Sequence, residues 1–274
     1  MSVELRADTH ALVQRARDIR ARVIEISHNN EVPHLASNLS CIDLLVATYW
    51  GYLDVHPVQP PSAPRDRFIL SKGHAASALY AALAQLGFIA DAELDSIAQN
   101  GSRLAEHPSR KTPGVEAATG SLGHGLGIGI GLALADRMLG HQHRVVVLMS
   151  DGEQNEGSVW EAAMFAPRHR LSRLTALVDF NGWQATGRSR DVLALEPLAE
   201  KWRAFGWDVA EVDGHDMTAV VGMLNRPDVV GPKMIIAHTV KGKGVSFMED
   251  DNNWHYRVPT ADEVVRAHRE LGRR

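Results

Sequence analysis

The 274 residues, 45% of them hydrophobic, suffice for one large α/β domain or two small ones with a sizeable core. With 29 basic against 33 acidic residues and a formal charge of −4, the chain lacks the dense basic face that nucleic acid would require. Its one cysteine, Cys41, excludes an intramolecular disulfide framework and a cysteine-based metal cluster, and its apolar setting beside Leu44 and Leu45 reads as a buried thiol.

In chain order, the opening MSVELRADTH lacks the apolar core of a secretory signal, so a cytoplasmic location is expected. Residues 8–27 carry Ala11, Leu12, Ala16, Ile19, Val23 and Ile26 at helical spacing. A second helix is predicted over residues 43–50, which leaves 29–40 as a connection. The prolines at 57, 60, 61 and 64 mark another connection, and Phe68, Ile69 and Leu70 a short buried strand. An Ala-rich helix should run to Leu86, and Asp91 should cap a helix ending near Gln99. Residues 101–119 read as a long irregular loop. Glycines at 120, 123, 125, 127, 129 and 131 predict a helix with one bare face, open to close packing. This stretch runs into the longest apolar segment, 126–135, too short to span a bilayer.

VVVLM at 145–149 and LTALVDF at 174–180 read as strands joined by a crossover helix, hence parallel, with their carboxyl ends at one edge. Further strands are predicted at 207–212 and 234–237, and helices at 198–205, 217–224 and 260–271, the last with a Thr260 cap. Alternating strands and helices throughout predict a single α/β domain over 1–274. It should be a doubly wound, mostly parallel sheet with helices on both faces.

In such sheets ligands sit at the carboxyl edge of the strands. Asp151 and Asn181 should meet there, as hard oxygen donors suited to Mg2+ or Ca2+, with Gly152 allowing close backbone approach. Asp-Gly and Asn-Gly are also common turn dipeptides, so an ordinary pair of turns stays open. His34, His74, His107 and His255 are all placed for the same edge, where imidazoles can polarise a carbonyl or shuttle a proton. Each taken alone is more often a structural histidine than a catalyst. His141 and His143 fall on the opposite edge and read as solvent-facing, as do Lys241 and Lys243. Glu156 and Glu161 flank the start of the crossover helix on different sides, where a carboxylate is also simply stabilising.

Together these residues resemble the transketolase family of thiamine-diphosphate enzymes, specifically the N-terminal, diphosphate-binding half that occurs as a separate subunit in split transketolases. The family's GDG…N signature stands here as Ser150-Asp151-Gly152…Asn181, within SDGEQNEGSVWEAAMFAPRHRLSRLTALVDFNGWQ. SKGHAASALY, EHPSRKTPGVEAATGSLGHG and KGKGVSFMEDDNNWH match three more blocks in order, and the likeness runs from about Ala16 to Pro259. It implies a thiamine-diphosphate-binding (PP) fold. It implies Asp151, Asn181 and the carbonyl of Trp183 as ligands of Mg2+, with Ca2+ or Mn2+ able to take its place. Gly152, His74 and His255 would lie near the diphosphate, and Gly120 and Leu122 against the cofactor rings. His34, His74, His107 and His255 would surround the reacting carbon, and Glu156 would link paired sites across a subunit interface.

The activity implied is transfer of a two-carbon ketol unit from a ketose, often phosphorylated, to an aldose. It would need a pyrimidine-binding partner subunit in an α2β2 heterotetramer, since the family continues into a second domain where this chain stops. A pyruvate-using synthase, a 2-oxo acid dehydrogenase component and a non-catalytic cofactor-binding module are the alternatives. Three departures stand out: Ser150 for the leading glycine, and Pro33 and Ala36 for glycines around His34.

Overall fold

The unbroken apolar runs become the strands of one five-stranded sheet in the computed structural model, which describes residues 8–57 and 65–273. The proline-rich connection expected between 56 and 66 lies largely outside the described residues. The strands are β1 (Arg67–Leu70), β2 (Val145–Ser150), β3 (Leu174–Phe180), β4 (Asp208–Asp213) and β5 (Lys233–His238). Every pairing is parallel, in the order β1-β2-β3-β5-β4. In register, Ile69, Val147, Ala176, Met234 and Val209 form one row across the sheet, and Leu70, Leu148, Leu177 and Ile235 form the next.

Because side chains alternate along a strand, these rows face opposite layers. The first row packs with α4 (Gly125–Met138), α5 (Gly157–Arg168) and α7 (Leu198–Ala204). The second packs with α1 (Thr9–Asn30), α2 (Leu35–Gly51), α3 (Ala76–Gln85) and α8 (Met217–Leu224). Two helices complete the set: the short α6 (Ser189–Val192), and α9 (Ala261–Glu270), which packs on α1. Both sheet faces are covered, which is why the central strands read as continuous apolar runs. Among the described residues no helix is long and apolar enough to cross a membrane.

Three element boundaries differ from expectation. The second helix starts at Leu35 rather than Asp43, so the connection shrinks to residues 31–34, with Glu31 and His34 at φ 55° and 66°. Its first turns hold Ser37, Asn38 and Ser40, polar residues that look like loop in sequence but are buried and bonded inside the protein. Asp91 is the first residue of a short 3-10 turn, Asp91–Ser96, rather than a cap; Glu93 instead accepts from the backbone N–H of Ala90 at 3.0 Å. The glycine-rich helix begins only at Gly125, because Gly120 and Gly123 take φ of 145° and 82°, in the region open chiefly to glycine. Within α4, Gly125 and Gly129 press against Ser71 and Val147, whereas Gly127 and Gly131 face open space.

Candidate functional site: a cleft at the carboxyl edge of the sheet

Asp151 and Asn181 directly follow the neighbouring strands β2 and β3, where Ser150 lies opposite Asp179. Both side chains are buried. One oxygen of Asp151 accepts from Gly152 N at 2.9 Å and the other from Ser189 Oγ at 2.7 Å. Burial pushes its carboxyl up to about 6, against the pull of the Ser189 bond. Asn181 directs its amide nitrogen to Ser40 and Asp179 and its oxygen to Trp183 N at 3.0 Å. Trp183 is held by Asp250, which its indole N–H meets at 2.8 Å, and by the Arg188 guanidinium 3.8 Å over its ring.

The cleft above these residues measures about 370 Å³. His34, His74, Gly120, Leu122, Asp151, Gly152, Glu156, Asn181, Trp183 and His255 all stand on its wall. Of the four edge histidines, three are mutual neighbours: ring centroids are 5.0 Å apart for His34–His255, 5.5 Å for His34–His74 and 6.0 Å for His74–His255. The backbone pins them, since His34 N donates to His255 O at 2.8 Å, and Asn38 donates to the carbonyls of His34 and His74. His107 is set back from the wall; its ring lies 6.5 Å from that of His34 and directly behind Gly120, where an added Cβ would come within 2.9 Å of it.

Burial holds all three clustered imidazoles neutral. It lowers His255 to about 3, aided by the positive charge of Lys241, pushes His74 well below its ordinary value, and lowers His34 against the opposing pull of Glu106.

Glu156 is exposed at the start of α5, with no side-chain hydrogen bond of its own, and Glu161 is exposed away from the cleft. Ser150, for all its place on the cleft wall, turns its hydroxyl to Glu153, accepting from Glu153 N at 3.3 Å. The buried Glu153 also takes Ser150 N at 2.9 Å and Gly123 N at 2.9 Å, so this carboxylate ties the β2 exit to the glycine loop. Ala36 is buried within α2 and is absent from the cleft lining, so its methyl group does not narrow the cleft.

Several supporting residues escape a sequence reading. Lys72 and Asp179 form a fully buried ion pair beneath the site, and Ser40 donates to the same Asp179 carboxylate at 2.6 Å. Lys241 corrects the expectation of a solvated face: it is 1% exposed, donates to Asn252 at 2.6 Å and lies 3.2 Å from His255 Nδ1. Burial lowers it to about 8. Farther back, Val240 N donates to His215 Nε2 at 2.8 Å, which leaves Nδ1 as the donor to Asp43, itself paired with Arg20. The signal for Lys72 and Lys241 was their place inside the SKGH and KGKG blocks. For Ser189 and His215 there was none, because their partners lie 38 and 172 residues away.

Residues 12–274 match the family described as transketolase, thiamine diphosphate binding domain. The chain belongs to the transketolase family. It is 42% identical over 257 residues to a Phocaeicola vulgatus protein named as one subunit of apulose-4-phosphate transketolase, covering 93% of this chain and 92% of that one. A Clostridium protein named as one subunit of 6-deoxy-6-sulfo-D-fructose transketolase is 40% identical over 241 residues, covering 87% and 88%. These near-full-length matches make the chain an N-terminal subunit of the split transketolase type, a component of a transferase. The crystal structure of Campylobacter jejuni transketolase superposes with a TM-score of 0.91 at 25% identity, over 97% of this chain but 43% of that one. Against such single-chain transketolases the chain spans less than half the length.

Proposed function

We propose that residues 1–274 form one binding unit, the diphosphate-binding subunit of a two-component transketolase acting in the cytoplasm. With a pyrimidine-binding partner subunit, as an α2β2 heterotetramer, it transfers a two-carbon ketol unit from a ketose to an aldose. The cofactors are thiamine diphosphate and Mg2+, or Ca2+ or Mn2+ in its place. The observation that carries this reading is one cleft in which Asp151 and Asn181 stand at adjacent strand ends beside three neutral, closely grouped histidines.

The residues present fit a magnesium–diphosphate group. Asp151 is buried with its carboxyl raised, the condition a divalent cation relieves. Asn155 and Gln184, on the same wall, bond to each other at 2.9 Å and leave Asn155 Oδ1 and Gln184 Nε2 buried without partners, as is His34 Nδ1. Unsatisfied polar atoms around one concavity mark a polar ligand. Asp151, Asn181 and the Trp183 carbonyl would hold the metal, with Gly152, His74 and His255 beside the diphosphate and Gly120 and Leu122 against the rings. When bound, the thiazolium ylid supplies the carbanion chemistry. His34 and His107 would contact donor hydroxyls or the carbonyl oxygen, and His74 and His255 would orient the substrate and its phosphate end. As neutral imidazoles, His34, His74 and His255 each offer one nitrogen as a hydrogen-bond donor and the other as an acceptor. Glu156, exposed beside the cleft, faces the partner.

The named substrates of the two relatives carry a phosphate and a sulfo group. We accordingly place the donor among ketoses with an anionic terminal group. The purified complex, given cofactor, Mg2+ and a panel of such ketoses with aldose acceptors, should show two-carbon exchange and no turnover of pyruvate. Absence of exchange across the panel sinks the assignment.

A further inference from the structure

The turn from α4 into β2 gathers Asp136, His141 and His143 at the sheet edge opposite the cleft. His143 Nδ1 lies 3.1 Å from one oxygen of Asp136, and His141 Nδ1 lies 3.5 Å from the other. The two rings are 5.1 Å apart and inclined at 68°, so their edges converge instead of stacking. One ligand atom from each of the three side chains falls within 4.8 Å of the others. We propose that these residues bind a divalent transition-metal ion, Zn2+ in the first instance.

Two imidazoles and a carboxylate are donors suited to zinc and its neighbours, unlike the all-oxygen set of Asp151, Asn181 and the Trp183 carbonyl, which suits Mg2+. The spacing agrees. A tetrahedral ion with bonds of roughly 2.0–2.1 Å holds its ligand atoms about 3.3 Å apart. At 3.5 Å the His141–Asp136 pair is too long for a good hydrogen bond, but it is the right length across a shared cation.

The frame is already set, because His141 N donates to Asp136 O at 2.8 Å and Gly140, at φ 74°, turns the chain back on itself. Side-chain exposures of 19%, 35% and 24% for Asp136, His141 and His143 leave one side open for water ligands. The neighbouring charges oppose a cation only in part. Of the three arginines lining this hollow, Arg173 is paired with Asp228, while Arg137, bonded to the carbonyl of His169, and Arg170 keep their charges. The ion would clip the end of α4 to the entry of β2, six residues or roughly 20 Å from Asp151.

The test uses the full chain without a polyhistidine tag, titrated with Zn2+ by calorimetry and with Co2+ by visible absorption in excess Mg2+. One equivalent should bind, and the Co2+ spectrum should show the intense bands of a low-symmetry, nitrogen-ligated ion. His141→Ala and His143→Ala should each weaken binding by about tenfold or more, and leave the melting temperature in EDTA unchanged. Zn2+ uptake that survives in the double variant overturns the proposal. So does uptake abolished by Asp151→Ala or by Mg2+, which would place the ion in the cleft, and so does the absence of any Co2+ spectrum in the unaltered chain.

Discussion

Lys72 and Asp179 are both fully buried, so removing one charge strands the other in a medium that solvates neither. The Asp179 carboxylate holds Lys72 above its ordinary value against burial, and Lys72 in turn lowers Asp179. Lys72→Met is expected to reduce the unfolding free energy by about 3–5 kcal/mol, read from urea denaturation; an unchanged midpoint would refute the pair's structural weight. The histidine cluster makes a separate prediction about pH. His255, held to about 3, stays neutral in the folded chain while its unfolded counterpart takes a proton below roughly 6.5. Folding therefore releases that proton, and stability should fall as pH drops from about 6.5 toward 3. His74 and His34, lowered in the same direction, add to the slope. Denaturation midpoints from pH 7 to 5 should decline less steeply for His255→Gln than for the unaltered chain; parallel curves would show that His255 does not titrate as assigned.

At the scale of the element, α4 offers a paired comparison in one helix. A methyl group at Gly129 would overlap the Val147 side chain of β2, so Gly129→Ala should cost about 1–3 kcal/mol through overpacking. Gly131 faces open space, and there the same change should stabilise the isolated chain by about 0.5–1 kcal/mol through helix propensity. If chemical denaturation finds both substitutions equally costly, the helix is not seated as described. The contrast also marks how far the sequence could be read. Parallel order and both strand ends at the site were legible, because β2 and β3 are continuous apolar runs that end in Asp151 and Asn181. The Thr260 cap of α9 was legible too, since its capping box with Glu263 is local. The start of α2 was not. Its buried Asn38 and Ser40 are satisfied by residues 40 and 139 positions away, and only the folded chain brings those partners close. For the same reason the sequence could place four histidines at one edge, but not the close packing of three of them with His107 set behind Gly120.

For the molecule as a whole, the proposed partner subunit needs a surface, and α5 supplies one that is continuous with Glu156 at its start. Met164 and Phe165 on α5 are 55% and 43% exposed, with Ile128 of the adjacent α4 at 37%. Subunit interfaces that persist are apolar at their centre, and a charge placed there must be desolvated on assembly. Met164→Asp alters no buried contact of the isolated chain, so its circular dichroism and melting temperature should match those of the unaltered protein. Assembly should weaken. Light scattering of the mixed subunits should show the heterotetramer dissociating at concentrations where the unaltered pair stays associated, and ketol transfer should fall about tenfold or more at limiting subunit concentration, in keeping with a central interface residue. If the cofactor is held between the two subunits as proposed, saturating thiamine diphosphate and Mg2+ should restore part of that loss, and raising the partner concentration should lower the apparent cofactor Kd by the same factor. Normal assembly of Met164→Asp would move the interface off α5 and leave Glu156 without its proposed neighbour.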